Sequence, residues 1–385
     1  MFFRTLALCT TFVLAACGGG HSESSPAPQL QKAADGAIGS GLAGVVLDHL
    51  TATGTTQALA GLRQVGSTAG IQAGDAFMIG STTKAMTAAL AGRLVERGAI
   101  AWSTTLAEAL PDLAAGMLPA YRAVTLAQLL DHRGGLPAFT SGTDVARFQA
   151  YLQTTLAPLP TTLTGRERFF AAWLLAQDPP PDAMPGQTFL YSNAGYALAA
   201  LMLETRTGRS FPDLFEQELA QPLGLQVSWT SADVSFKDRP VGHGGAKGRL
   251  APLPPEEADV SLWLDVLRAS GQGTTLAPDS YAAWVRWHLR ALRGESTPLA
   301  GAYLRRLQAL KAGDYALGWI AADIDGRAVL FHNGADRGFS SLVVIDAQGR
   351  SASFGITNTE ADDGSWALAI LNQALLDIER ALPPK

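Results

Sequence analysis

Apolar and polar positions change period twice along this chain. Gly41–Leu47 is a short apolar run with valines at its centre, and Gln57–Leu62 is a second one across the Thr/Gly-rich stretch 51–56. The pair predicts two strands joined as a hairpin. From Lys84 the spacing turns helical: Met86, Leu90 and Leu94 recur at four-residue steps until Gly98 stops the run. Leu126–Leu130, Arg166–Ala176, Ala194–Arg206, Phe211–Leu219, Leu262–Ala269 and Asp279–Leu292 continue the helical reading. Proline-rich joints interrupt it at Pro158–Pro160, Pro179–Pro185 and Pro252–Pro255. The chain then returns to strand patterns at Leu317–Ala322, Arg327–His332, Phe339–Ile345 and Ser351–Thr357, with Asp325-Gly326 and Gln348-Gly349 as turns. An amphipathic helix, Trp366–Leu382, closes it.

This order predicts an α+β fold. One antiparallel sheet is built from both chain ends and flanked by helices, with a mainly helical lobe, roughly 76–312, inserted between them. The folded body is read as 36–383. Almost half of the 385 residues are hydrophobic, which is ample for a large core. The net charge of −5 comes with no lysine/arginine block, so the basic stripe that binds nucleic acid is missing and no nucleic-acid partner is expected.

The first residues read as an export signal. Arg4 supplies a positive start, and the apolar run Leu6–Ala16 is too short to span a bilayer. It ends in Leu14-Ala15-Ala16-Cys17, and small residues before a cysteine resemble a bacterial lipoprotein processing site. On that reading residues 1–16 are removed and Cys17 carries lipid. Residues 17–35, opening Gly18-Gly19-Gly20, form a flexible tether, and the protein is a periplasm-facing, membrane-anchored monomer. An ordinary secretory signal, with Cys17 incidental, fits the same tract. Cys9 and Cys17 are the only cysteines, so the body has no disulfide or thiolate metal site to draw on.

Three short motifs carry candidate chemistry. In Gly80-Ser81-Thr82-Thr83-Lys84, Ser81 and Lys84 are one helical turn apart, so the amine can reach back to the hydroxyl. A serine hydroxyl needs such a base, and burial favours the neutral amine. The helix N-terminus adds N–H groups for a developing oxyanion. Alone, the pair also describes an N-cap serine with a solvated lysine. Tyr191-Ser192-Asn193 opens a second helix; its phenol can relay a proton and its amide can bond substrate and Lys84. The bland reading is a buried tyrosine beside a cap. His332-Asn333-Gly334 ends a strand, where glycine lets a substrate backbone lie close. His332 is expected to face the cleft as a proton-relay or carboxylate-binding group, with the N–H of Ala335 as second oxyanion donor beside that of Ser81. A surface hairpin histidine is the alternative. His132 is expected to pack or hydrogen-bond, and His243-Gly244-Gly245 to form a mobile loop.

Taken in order, Ser81-x-x-Lys84, Tyr191-x-Asn193 and His332-x-Gly334 resemble the three signatures of the serine β-lactamase and penicillin-binding superfamily. The tyrosine motif is similar to class C β-lactamases, DD-peptidases and β-lactamase-fold esterases. Leu129–Pro137, Pro222–Leu225 and Tyr315-x-x-Gly318-Trp319 add to the likeness, which runs from about Gly41 to Leu376. The resemblance implies a β-lactamase/transpeptidase-like fold and a covalent acyl-Ser81 mechanism with no metal or cofactor. The substrate would be a small peptide, ester or β-lactam. Histidine and asparagine replace the usual lysine and threonine or serine of the third motif, which shifts weight from β-lactam hydrolysis toward a DD-peptidase-like enzyme of cell-envelope peptides. A broad carboxylesterase or weak β-lactamase, and a non-catalytic penicillin-binding or sensing protein, are the competing readings.

Overall fold

The computed structural model describes residues 26–140, 142–156, 158–229, 239–253, 265–362 and 365–382. The signal segment 1–16, Cys17 and the start of the expected helix Leu262–Ala269 lie outside the described residues.

The centre is a seven-stranded antiparallel sheet. Its strands are β1 (Gly44–Thr51), β2 (Thr55–Gly61), β3 (Tyr315–Ala316), β4 (Trp319–Ile324), β5 (Arg327–Asp336), β6 (Phe339–Asp346) and β7 (Ser351–Thr357), in the order β2-β1-β7-β6-β5-β4-β3. The N-terminal hairpin meets the C-terminal strands where Val45 pairs with Thr357 and Thr51 with Ser351. Side chains alternate across β1. Val45 and Leu47 pack with Leu342, Val344 and Leu371 on one face, while Val46 and Leu50 join Val343, Ile345 and Phe354 on the other. Because both faces are covered, β6 and β7 are buried along their whole length, polar Ser340, Ser341, Ser351 and Ser353 included.

Helix α1 (Pro26–Gly39) and the last helix (Trp366–Ala381) cover the first face. Residues 26–35, read from sequence as the end of the tether, are therefore corrected to helix. Leu30, Ala34 and Ala37 fall at helical spacing and are at most 3% exposed, so this segment has an apolar stripe to bury. The other face receives the long segment between β2 and β3. It includes α2 (Thr83–Glu96), α3 (Leu126–Leu130), α4 (Gly142–Thr154), α5 (Leu163–Leu175), α6 (Asn193–Thr207), α7 (Pro278–Leu292) and α8 (Gly301–Gln308). Helix α2 is buried nearly all round and sits at the core between the sheet and the other helices.

Two features of the sheet shape the site. Strand β5 does not stop at His332, as its pattern suggested. Gly334, Ala335 and Asp336 keep pairing with Ser341, Ser340 and Phe339, and the chain turns only at Arg337 and Gly338, both at positive φ. Pairing with β4, by contrast, ends at Phe331. Beyond that residue the outer edge of β5 has no neighbouring strand among the described residues and borders a cavity. His243-Gly244, read as a mobile loop, is also corrected. It forms a short strand with Ala251-Pro252, and the buried His243 ring accepts from Val65 N–H at 3.0 Å and bonds the Asn358 carbonyl at 2.9 Å.

Candidate active site

Ser81 lies in a tight turn, Gly80–Thr82, that runs straight into α2. The turn is wedged against the free edge of β5. A side chain at Gly80, whose φ is 51°, would put Cβ 2.7 Å from the backbone N and O of Ala335. At Gly334 it would lie 2.2 Å from the Ile79 carbonyl and 2.9 Å from Ser81 N. Only glycine lets these two backbones touch. Their contact sets the amides of Ser81 and Ala335 side by side in the wall of a cavity of about 570 Å³. In the two-residue hairpin, Ala335 belongs to a non-hydrogen-bonded pair, so its N–H points to the open edge. The pair of amides can serve a developing oxyanion.

Lys84 is fully buried, and its Nζ has three neighbours: Ser81 Oγ at 2.9 Å, Asn193 Oδ1 at 2.7 Å and the Ser270 carbonyl at 2.8 Å. The two carbonyl oxygens can only accept. A neutral amine has two N–H bonds to satisfy them, which leaves its lone pair aimed at the Ser81 hydroxyl. Burial holds the amine well below its usual pKa, with Asp336 acting in the opposite direction. The Asn193 amide is locked in the required sense, because Nδ2 donates to the Phe139 carbonyl at 2.9 Å and Oδ1 must then face Lys84.

Tyr191 and Asn193 flank Ser192, which caps α6 by accepting from Gly195 N–H at 3.1 Å. The Tyr191 ring lies 4.8 Å from Lys84 Nζ. Burial pushes the phenol pKa upward and a hydrogen bond with Ser81 partly offsets this, so the group rests as a neutral donor. Tyr191, Asn193, Ser81, Asn333, Gly334 and Ala335 all line the cavity, as do Gly271 and Gln272.

His332 departs from expectation. It is 2% exposed, is enclosed behind Tyr191 and Tyr315, and does not line the cavity, whereas its neighbour Asn333 does. Alternation along β5 sends consecutive side chains to opposite faces, so both cannot face the cleft. Burial, with Lys84 adding to it, pushes its pKa down to about 3. An imidazolium for a substrate carboxylate is thus not available there. Sequence reading also missed Ser270 and Phe139, which act through carbonyls, and Tyr315, whose hydroxyl bonds His332 Nε2 at 3.1 Å.

Comparison with known proteins adds a family. Residues 33–377 match the Beta-lactamase family. Penicillin-binding protein 4 of Amycolatopsis lactamdurans is 29% identical over 316 residues, 77% of this chain and 76% of that protein. The unguisins hydrolase ungD of Aspergillus violaceofuscus is 30% identical over 58% of this chain, and the match spans only 38% of that hydrolase. A D-aminopeptidase of Cereibacter sphaeroides is 26% identical over 71% of this chain, about half (49%) of its own length. Among solved structures, D-amino acid amidase from Ochrobactrum anthropi SV3 superposes with TM-score 0.69 at 19% identity, covering 93% of this chain and 98% of the amidase. A Beta-Lactamase/D-Alanine Carboxypeptidase from Pseudomonas syringae gives 0.70 at 14% identity, over 93% and 99%.

Proposed function

We propose that this chain, which belongs to the beta-lactamase family of serine hydrolases, cleaves amide bonds next to D-configured residues in small envelope peptides through an acyl-Ser81 intermediate. The single observation behind this is the Lys84 amine, buried and held by two obligatory acceptors with Ser81 as its third neighbour. The Ser81 proton passes to Lys84 Nζ as Oγ bonds to the substrate carbonyl carbon, and the oxyanion takes the N–H groups of Ser81 and Ala335. When the C–N bond breaks, the Tyr191 phenol gives its proton to the leaving nitrogen and regains one from the Lys84 ammonium, which closes the proton cycle. Water then releases the acyl group by the same path in reverse. The open edge of β5 can take the substrate backbone as an added strand.

The substrate class follows from the relatives' names, a D-aminopeptidase, a D-amino acid amidase and a penicillin-binding protein, and from a third motif without a cation. The leader supports a lipid on Cys17 and a place outside the cytoplasm, which palmitate labelling tests: label lost in Cys17→Ala supports it, and label retained refutes it.

The reaction is tested by offering a D-amino acid amide, a D-Ala-D-Ala peptide, a nitrophenyl ester and a chromogenic cephalosporin to the wild type and to Ser81→Ala. Turnover of the D-amide or peptide, lost in the variant, supports the proposal. Turnover of the ester alone would make the protein an esterase. A stable Ser81 adduct without turnover would make it a penicillin-binding or sensing protein.

A further inference from the structure

Behind Tyr191 two imidazoles and a phenol form a closed chain. The Ser192 N–H donates to His132 Nδ1 at 3.0 Å; His132 Nε2 lies 3.0 Å from Tyr315 Oη; Tyr315 Oη lies 3.1 Å from His332 Nε2; and His332 Nδ1 lies 2.5 Å from the Asn333 carbonyl. The ends fix the protons. A backbone N–H only donates, so His132 Nδ1 is bare and Nε2 carries the hydrogen. A carbonyl only accepts, so His332 Nδ1 carries the hydrogen and Nε2 is bare. Tyr315 then accepts from His132 and donates to His332, while the Tyr196 hydroxyl, which also bonds Tyr315, sends its own hydrogen to the Leu130 carbonyl at 2.8 Å. Every bond in the chain points the same way, from the second motif to the third. Both ends are main-chain groups, so the chain cannot pass a net proton to the substrate.

We propose that Tyr315 and His132 are positioning residues, which tie the Tyr191-Ser192 turn to the His332-Asn333 strand and hold the Tyr191 phenol against Ser81. The reach from Tyr191 is direct, since the His132 ring lies 4.1 Å from the Tyr191 ring and 4.6 Å from that of Tyr315. His132 is 1% exposed and has a φ of 57°, a conformation that a non-glycine residue adopts only where its surroundings hold it. Leu317, two residues after Tyr315, also has positive φ, at 54°, and its N–H bonds Asp131 at 3.3 Å. The two segments therefore dock through main chain and side chain together. The titratable groups packed around His332 are Lys84 on α2, Tyr191 in the turn before α6 and Tyr315 on β3, with His132 behind Tyr315; His132 in turn faces Tyr191, Tyr196 on α6 and Tyr315, with Lys84 acting on it as well. None of these is a carboxylate that would hold a second proton on the ring. This positioning role rests on the acyl-Ser81 reading for its kinetic arm only.

The test uses the mature wild-type chain labelled with ¹⁵N-histidine, with His132→Gln and His332→Gln assigning the two signals. We expect His132 as the Nε2–H tautomer and His332 as the Nδ1–H tautomer, both unchanged between pH 5 and 8. The opposite tautomer at either ring, or titration of His332 near pH 6, overturns the chain whatever the enzyme's activity. Tyr315→Phe removes one oxygen from the link. It should lower kcat for the D-amide at least tenfold with KM changed less than threefold. Unchanged kcat, or a loss carried by KM alone, overturns the positioning role. Reaction of wild-type Ser81 with a fluorophosphonate probe keeps the two readings apart, because its failure tells against the nucleophile and leaves the tautomers to judge the chain.

Discussion

Replacing Lys84 by methionine should cost activity and change stability in a way that depends on pH. Methionine keeps an unbranched chain of similar length in a fully buried place and removes only the amine's chemistry. Two terms then oppose each other. The Asn193 Oδ1 and Ser270 carbonyls lose their donor, about 1–3 kcal/mol each. Against that, the wild type must hold an amine that burial keeps well below 10.5. Between its folded pKa and 10.5 the unfolded chain binds a proton that the native state lacks. Wild-type stability therefore rises with pH across that window, by about 1.4 kcal/mol per unit, and the variant has no such term. The first term does not vary with pH, and groups remote from Lys84 cancel in the comparison. Over that window the variant's stability relative to wild type should fall as pH rises, with a limiting slope of about 1.4 kcal/mol per unit, and its Tm should drop further below that of the wild type at each step. Calorimetry of both proteins at pH 8, 9 and 10 measures it, and amide turnover should drop at least roughly 10²–10⁴-fold. A Tm difference that stays flat with pH would mean that Lys84 is an ammonium in both states. The lone pair aimed at Ser81 would not exist, and lysine would have to be removed from the mechanism.

Three further outcomes follow from the same geometry. Tyr191→Phe should lower amide turnover by roughly 10²–10⁴-fold while a nitrophenyl ester, whose leaving group needs no proton, loses far less; equal losses on both would take the phenol away from the leaving group. Gly334→Ala puts Cβ 2.2 Å from the Ile79 carbonyl and should push β5 off the Ser81 turn, abolishing labelling by a fluorophosphonate and costing about 1–3 kcal/mol. Normal labelling at an unchanged Tm would show that the two backbones do not meet so closely. Burial raises Asp336 from 3.8 to about 7, so between these values the native state keeps a proton that the unfolded chain has released, and stability falls as pH rises. Asp336→Asn still accepts from Gly273 N–H and should gain on the wild type by about 1.4 kcal/mol per unit over that window, read by urea unfolding at pH 4, 5.5 and 7; a constant difference would refute the buried acid.

Much of the fold and site could be read in the sequence, and what escaped has a common physical cause. Strand β7 and helix α3 occur with the bounds their patterns predicted, because each presents an uninterrupted period between clear stops. The meeting of Ser81, Lys84, Tyr191 and Asn193 could be foreseen because each motif states a local geometry: a helical turn in one, a capped helix start in the other. Helix α1 was hidden by the Gly/Ser/Pro-rich stretch before it, which made the whole segment read as tether, although Leu30, Ala34 and Ala37 carry the helical signal. The orientation of His332 was missed for a different reason. A strand pattern fixes alternation but not which face meets the lobe, and that depends on the pairing with β4 ending at Phe331 while β5 runs on to Asp336.

The protonation state of the site was the hardest part to foresee. Lys84 is a candidate base because two of its three neighbours can only accept, and one of them is a main-chain oxygen, that of Ser270. The other, Asn193 Oδ1, is aimed by a second main-chain oxygen, that of Phe139. Every residue type supplies a carbonyl, so no motif could name Ser270 or Phe139. The Phe139 backbone instead carries a conformational mark, a φ of 50° in a bulky side chain that is 2% exposed. A non-glycine residue is held there only when surrounding structure over-determines it. Here the surroundings are the Asp144 carboxylate, which accepts the Phe139 N–H at 2.8 Å, and the packing of its ring against Phe170 at 5.2 Å. The strained turn thus delivers its carbonyl to Asn193, Asn193 delivers its oxygen to Lys84, and the amine is left with one free direction, toward Ser81. The side chains name the reaction class, and the main chain around them decides whether the lysine is a base.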